Sequence, residues 1–229
     1  MRVFYNLIRI LRQAYKMIFQ DDYSDAKAYE TIVRTFSGRG VLVRHIADLF
    51  ENFLPLHKDG GVEEHPYILD LGAGSGIISR ELDRRGYRVC ANDISPAVLE
   101  HLRLEAPHIE RSIFDFNQQF PFDDSVFDGV TTVWANRYIT RDGLFVFLSE
   151  IRRVLKVGGI FLWPIFPADT ILWKMKNGSA QVTGADDLVV LVKECDFSHA
   201  EILRDLFYKN IFSFKLPPHT VPIYIFARK

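Results

Sequence analysis

The stretch Tyr67-Ile68-Leu69-Asp70-Leu71-Gly72-Ala73-Gly74-Ser75-Gly76 decides how the rest of the chain is read. Its first five residues form a short apolar run suited to a buried strand. The glycines at 72, 74 and 76 permit a tight turn and let backbone approach a ligand closely. A helix expected over 75–85 opens directly from this turn, and helix N-termini carry N–H groups without intrahelical partners. The following strand, expected over 87–91, ends in Asn92-Asp93, and Asp93 lies 17 residues beyond Gly76. An acid at that strand end is placed to take both hydroxyls of a ribose. Asp93 also suits a cap ahead of Pro96, and the two roles can coexist.

The spacing separates two nucleotide classes. Dinucleotide folds show GxGxxG, whose third glycine accommodates a pyrophosphate at the helix start. Here the pattern is GxGxG, position 77 is Ile, and Asp70 precedes the first glycine by two. A carboxylate beside the loop repels a pyrophosphate but suits a ligand carrying an amino group and a sulfonium. An NAD(P)-dependent oxidoreductase is therefore the disfavoured reading.

Downstream, strands and helices alternate. A helix is expected over 96–106, with Pro96 at an early position, and strands over 109–114 and 126–134. A helix over 141–156 is expected to stop at Gly158-Gly159, followed by a strand over 160–166 and a helix over 186–195. Two strand-like runs, 199–208 and 220–228, close the chain without a helix between them. Such alternation predicts a mostly parallel sheet with helices on both faces. The helix-free final pair should be antiparallel.

Residues 1–60 differ in texture and read as two or three helices without a strand: 1–19, 24–36 and 41–54, the last stopped by Pro55. Residues 57–66 look like a linker. In the first helix Arg2, Arg9, Arg12 and Lys16 fall within about an 80° arc, with Phe4, Leu7, Leu11, Tyr15 and Ile18 opposite. The favoured reading is a helical lid over the site, to which Tyr23 and Tyr29 contribute. Contact of the basic face with an anionic membrane surface is the second reading and is not favoured.

At 229 residues, 48% apolar and 25% charged, the chain suits one soluble α/β domain with a small appendage. Twenty-eight basic and 29 acidic residues give no electrostatic case for nucleic acid. Cys90 and Cys195 form no CxxC pair, no secretion signal is recognised, and the apolar stretch 158–173 is broken by Pro164, Pro167 and Asp169. These features imply a cytoplasmic protein with reduced thiols. None of the seven histidines has metal-ligand spacing, so no metal site is expected.

From Tyr67 onward the chain resembles the class I S-adenosylmethionine-dependent methyltransferases, of the small-molecule, type 11-like kind. ILDLGAGSG looks like the family's first motif and NDIS like its second. Asp115-Phe116 resembles the pair whose acid or backbone meets the adenine amino group while the neighbouring side chain flanks the ring. FPFDDSVFDGVTTVW and EIRRVLKVGGIFLW resemble the segments leading through the fourth and fifth strands. Five elements in this order are far more specific than any one. The resemblance implies an α/β, Rossmann-like fold, with a seven-stranded mostly parallel sheet ordered 3-2-1-4-5-7-6 and strand seven antiparallel. It implies a lid over residues 1–60, a cofactor-binding domain over 67–229, and S-adenosylmethionine as cofactor. The binding residues it implies are Asp70, Gly72, Ala73, Gly74, Gly76, Asp93, Ile94, Asp115, Phe116 and Trp134.

Methyl transfer from a sulfonium is an in-line displacement, so alignment supplies most of the rate. A base is needed only for a protonated or weakly nucleophilic acceptor. Many small-molecule members carry a His after strand four; this chain has Trp134-Ala135-Asn136-Arg137-Tyr138 and no His there. Asn136, Arg137 and Tyr138 are the candidate substrate contacts, and no catalytic residue is assigned. Trp163, Phe166 and Trp173 could wall the acceptor pocket or simply pack. No Asn/Asp-Pro-Pro-Tyr/Phe sequence follows strand four, and neither Cys follows a Pro. These absences disfavour amino methylation of bases or amide side chains and covalent cytosine methylation. A small-molecule acceptor is thus the favoured partner. A non-catalytic scaffold is the alternative, which the combination of Asp70, three glycines and Asp93 opposes.

Overall fold

The apolar run 67–71 lies at the centre of the sheet, which is why it carries almost no polar side chain. In the computed structural model, which describes residues 41–59, 62–133, 135, 138–165, 185–203 and 223–229, this strand pairs in parallel on both sides. The sheet strands are β1 (Tyr67–Leu71), β2 (Arg88–Asn92), β3 (Glu110–Ser112), β4 (Phe127–Thr132), β5 (Leu155–Ile165), β6 (His199–Leu203) and β7 (Ile223–Arg228). Their order is β3-β2-β1-β4-β5-β7-β6. β7 runs antiparallel to both β5 and β6, and the other pairings are parallel. The expected order and the reversed last strand are both observed.

Among the described residues, five helices cover the sheet: α1 (Val41–Phe53), α2 (Ile77–Arg84), α3 (Pro96–Glu105), α4 (Gly143–Val154) and α5 (Ala185–Glu194). Strand alternation sends Leu69, Val130, Phe161 and Ile225 to the face shared with α4 and α5, where Phe147, Ile151, Leu188 and Val192 meet them. Ile68, Val89, Leu162 and Phe226 face the layer made by α1, α2 and α3. Burial of both faces follows from the parallel pairing, whose crossovers leave helices on each side.

α1 belongs to this packing, although its sequence falls in the segment expected to form a lid. Leu42, Ile46 and Phe50 are fully buried on the sheet. The approach is close because Gly129 of β4 has no side chain: a Cβ there would lie 2.8 Å from both Phe50 and Ile68. Arg85, at the end of α2, adds ion pairs to Asp48 and Glu51 of α1. The rest of the expected lid, residues 1–40, lies outside the described residues.

Two boundaries differ from the sequence expectation. Residues 57–66, expected to be a linker, contain an antiparallel hairpin pairing His57–Asp59 with Val62–Glu64. The two residues between Asp59 and Val62 are Gly60-Gly61, the loop length and composition that hairpins favour. Gly158-Gly159 does not end α4. That helix stops at Val154, and β5 begins at Leu155. The β4–β5 register jumps from Phe127↔Leu155 to Gly129↔Ile160, so residues between Leu155 and Ile160 bulge outward with Gly158 at φ +80°. Lys229 closes this corner: its Nζ donates to the carbonyls of Leu155 and of Arg153, which also accepts from Ser125 N.

Candidate active site

The carboxyl ends of β1 and β2 meet where the sheet order reverses direction, the usual crevice for ligands in open α/β sheets. Gly72, Gly74 and Gly76 turn there with φ of +67°, +56° and +75°. A Cβ on Gly72 would lie 2.6 Å from that of Ala135, so a side chain is excluded at Gly72 twice over, by dihedral and by space.

The N–H groups of this turn point inward. Ala73 N donates to the Asn92 carbonyl at 2.7 Å, and Gly74 N to Asp93 Oδ2 at 3.0 Å. Gly76 N donates to the Ala73 carbonyl at 2.9 Å, and Gly72 N makes a long contact of 3.5 Å with Asn92 Oδ1. These four N–H groups are therefore engaged within the protein. A pyrophosphate cradle needs such donors.

Asp70 is buried behind the turn. Its Oδ2 accepts a 2.6 Å bond from Ser79 Oγ, and the Ser79 backbone N–H also donates to the carboxyl. Gly76, the N-cap of α2, has no side chain to bond the first turn. Asp70 therefore does the capping from the preceding strand. Burial pushes its pKa from 3.8 up to about 7, with the Ser79 donors acting in the opposite direction and the Asp93 charge adding to the rise.

Asp93 divides its oxygens between two segments. Oδ2 takes Gly74 N, while Oδ1 takes Ser95 N at 2.9 Å, just ahead of Pro96. Burial raises its pKa and the backbone donors of Ser95, Gly74 and Ile94 restrain the rise. These three donors leave the carboxylate an acceptor site for a ligand hydroxyl. Beside it Ile94 is 66% exposed, an apolar surface left uncovered at the same edge.

Asp115, Phe116 and Tyr138 come to this edge as well. Asp115 Oδ1 accepts from both the backbone N and the Nδ2 of Asn117, each at 2.9 Å. Phe116 is buried, edge-on to Phe147 of α4, with its Cε1 3.6 Å from the point where a Gly72 Cβ would be. Tyr138 is half-buried against the same cluster. Trp134, Asn136 and Arg137 lie outside the described residues, as do Phe166 and Trp173. Trp163, a candidate acceptor wall, is a core residue packed on Phe147 and Phe161.

Three side chains that organise the site escape the motif reading. Ser79 holds Asp70. Asn92, fully buried, donates through Nδ2 to the carbonyls of Ser112 and Phe114, tying the β3 end to the glycine turn. Asn117 joins Asp115 to the loop after β4. Asn92 beside Asp93 and Asn117 two residues past Asp115 are visible in the sequence, but nothing local distinguishes them from loop residues.

The site fits a nucleoside ligand without a pyrophosphate. It offers a turn closed to a side chain at Gly72, an acid with an acceptor site to spare, and an exposed apolar surface beside that acid. Ser75 Oγ and Thr132 Oγ1 are buried here without hydrogen-bond partners among the described residues, a cost usually offset by a bound group.

Residues 69–163 match the family described as methyltransferase domain. The demethylmenaquinone methyltransferase of Tropheryma whipplei is 34% identical over 100 residues, 43% of this chain and 41% of that protein. The malonyl-(acyl-carrier protein) O-methyltransferase of Halorhodospira halophila is 32% identical over 167 residues, 68% of this chain and 52% of that protein. These matches span about half, or less, of the relatives' lengths. A shorter match, 36% identical over 75 residues, is to the 18S rRNA (guanine-N(7))-methyltransferase of Schizosaccharomyces pombe, covering 32% of this chain and 28% of that protein. Among solved structures, a TehB-like S-adenosylmethionine-dependent methyltransferase from Corynebacterium glutamicum superposes with a TM-score of 0.62 at 17% identity, over 91% of this chain and all of that one. The matched segment, the seven-stranded order and the ordered motifs agree: residues 69–163 carry a methyltransferase domain, within the class I, S-adenosylmethionine-dependent methyltransferase fold.

Proposed function

We propose that the chain transfers a methyl group from S-adenosylmethionine to a small-molecule acceptor in the cytoplasm. The observation that carries this reading is the glycine turn, whose N–H groups are committed to Asn92 and Asp93 instead of facing a phosphate. When bound, the cofactor supplies a methyl group on a sulfonium, open to in-line displacement by a nucleophile.

The chain's own part is alignment. Asp93 accepts from the ribose hydroxyls while its existing bonds hold the turn and α3 in register. Gly72, Ala73, Gly74 and Gly76 give the methionine end a surface with no side chain larger than a methyl, and Asp70 acts on it through the turn it braces. Ile94 and Phe116 bound the adenine, Asp115 accepts from its amino group, and Trp134 completes the wall. Asn136, Arg137 and Tyr138 contact the acceptor. Tyr138 carries the one titratable hydroxyl of that triplet, and no base is needed for an acceptor that is already anionic.

The relatives' names support a small acceptor, since one acts on demethylmenaquinone and another on a malonyl group held by a carrier protein. The rRNA methyltransferase supports the opposite choice, against which stands a net charge of −1. Calorimetry with S-adenosylmethionine, S-adenosylhomocysteine and NAD tests the cofactor. Binding of NAD alone refutes the reading. Incubation with labelled cofactor and a fractionated extract then shows whether label enters small molecules or RNA, and label confined to RNA removes the small-molecule acceptor. A scaffold would bind cofactor and label neither fraction.

A further inference from the structure

Asn117 lies two residues past Asp115, and every polar atom of its side chain is used. Nδ2 donates to Asp115 Oδ1 at 2.9 Å and to the Tyr138 carbonyl at 3.0 Å, and Oδ1 accepts from Thr140 N at 2.8 Å. Thr140 Oγ1 in turn accepts from Gly143 N at 2.9 Å, at the first residue of α4. One amide thus bridges the acid after β3 and the loop joining β4 to α4, segments more than 20 residues apart in sequence. Both of its bonds to Asp115 fall on the same oxygen. Oδ2 of Asp115 has no partner among the described residues, so the acid can accept a ligand donor without releasing Asn117.

We propose that Asn117 is a positioning residue that couples cofactor occupancy at Asp115 to the order of the acceptor-side loop 138–143. This rests on the cofactor reading given above. A donor held on Oδ2 fixes the carboxyl plane. The fixed carboxyl holds the Asn117 amide, and the amide holds the Tyr138 carbonyl and the Thr140 N–H. Coupling of this kind is a free energy shared between two sites and acts in both directions. Its consequence is cooperativity: cofactor on Asp115 favours the ordered loop that meets the acceptor, and acceptor on the loop favours cofactor.

Hydrogen exchange at residues 138–144, with and without S-adenosylhomocysteine, tests the coupling in the full-length protein. In the wild type, saturating S-adenosylhomocysteine should slow exchange of the Thr140 amide by about tenfold, because local opening becomes costlier. Asn117→Ala and the near-isosteric Asn117→Asp should both keep the fold and bind S-adenosylhomocysteine, yet show less than about twofold slowing there. Protection at the Gly74 amide, remote from Asn117, should persist in both variants. Equal ligand-induced slowing at Thr140 in wild type and either folded variant overturns the proposal. A wild type that binds no S-adenosylhomocysteine overturns the cofactor reading itself, and is told apart by the absence of protection at Gly74.

Discussion

Ser79 Oγ donates to Asp70 Oδ2 across 2.6 Å, joining the strand before the glycine turn to the helix after it inside a buried site. The bond spans nine residues of chain and closes the turn like a clasp. Ser79→Ala removes the hydroxyl and leaves the carboxyl with backbone donation alone. Hydrogen bonds to charged groups are worth about 1.5–3 kcal/mol, so S-adenosylhomocysteine affinity should fall roughly tenfold or more. Calorimetry on the folded variant measures it, and an unchanged affinity means that the clasp does not shape the site.

Asp70 should give stability a pH dependence of definite sign. Its carboxyl loses a proton at 3.8 in the unfolded chain and near 7 in the fold. Between those values the native state holds the extra proton, so this group's contribution declines as pH rises from about 4 to 7 and is level above. The slope is at most on the order of 1.4 kcal/mol per pH unit. Other carboxylates oppose it: Arg84 and Arg85 hold Glu81 low, and Arg153 does so for Glu150. The quantity to measure is therefore the urea stability of Asp70→Asn minus that of the wild type. That difference should grow from pH 4 to 7; a flat difference contradicts the assignment.

Asp93 carries two duties that substitution separates. Asp93→Asn keeps an amide oxygen to accept from one of Gly74 N and Ser95 N, whereas Asp93→Ala loses both bonds. Both variants should lose at least about tenfold in affinity for S-adenosylhomocysteine, the loss of one charge-assisted bond. Only Asp93→Ala should also unfold at clearly lower temperature. Wild-type affinity in a folded Asp93→Ala protein would falsify the ribose role.

Gly72→Ala tests the turn itself. The new Cβ meets Ala135 at 2.6 Å and the residue keeps a left-handed φ of +67°. Strain at such a position costs about 1–3 kcal/mol before the clash is relieved. Urea unfolding should show a loss of at least that size, together with weakened cofactor binding. A neutral substitution would mean that the turn is looser than its packing implies.

Deleting residues 1–36 addresses the proposed lid while leaving α1 in place. Fold and S-adenosylhomocysteine affinity should be retained, because the sheet and the glycine turn lie beyond the cut. Transfer to acceptor should collapse as the pocket loses a wall and admits water. A membrane role makes the reverse forecast, in which the truncated chain loses liposome co-sedimentation but keeps its turnover. Full activity without the segment removes the lid.

The sequence by itself determined the sheet and the outline of the site. A buried parallel strand must be apolar on both faces, so the run 67–71 announced β1, and alternation with helical spacing announced its neighbours. Strand ends are local events too, which is why Asp70, Asp93 and Asp115 were legible beside their turns. Tertiary structure alone decided what those acids do. Ser79 is nine residues from Asp70, and Asn117 is 21 and 23 residues from its partners Tyr138 and Thr140. Such bonds depend on where a crossover returns, and no periodicity encodes that. Gly158-Gly159 looked like a helix stop because glycine ends helices, yet the register of β5 against β4 turned it into a bulge. Likewise α1 carried the marks of an amphipathic helix whatever it covered. The missing side chain at Gly129, on a strand more than 75 residues further on, brought it onto the sheet.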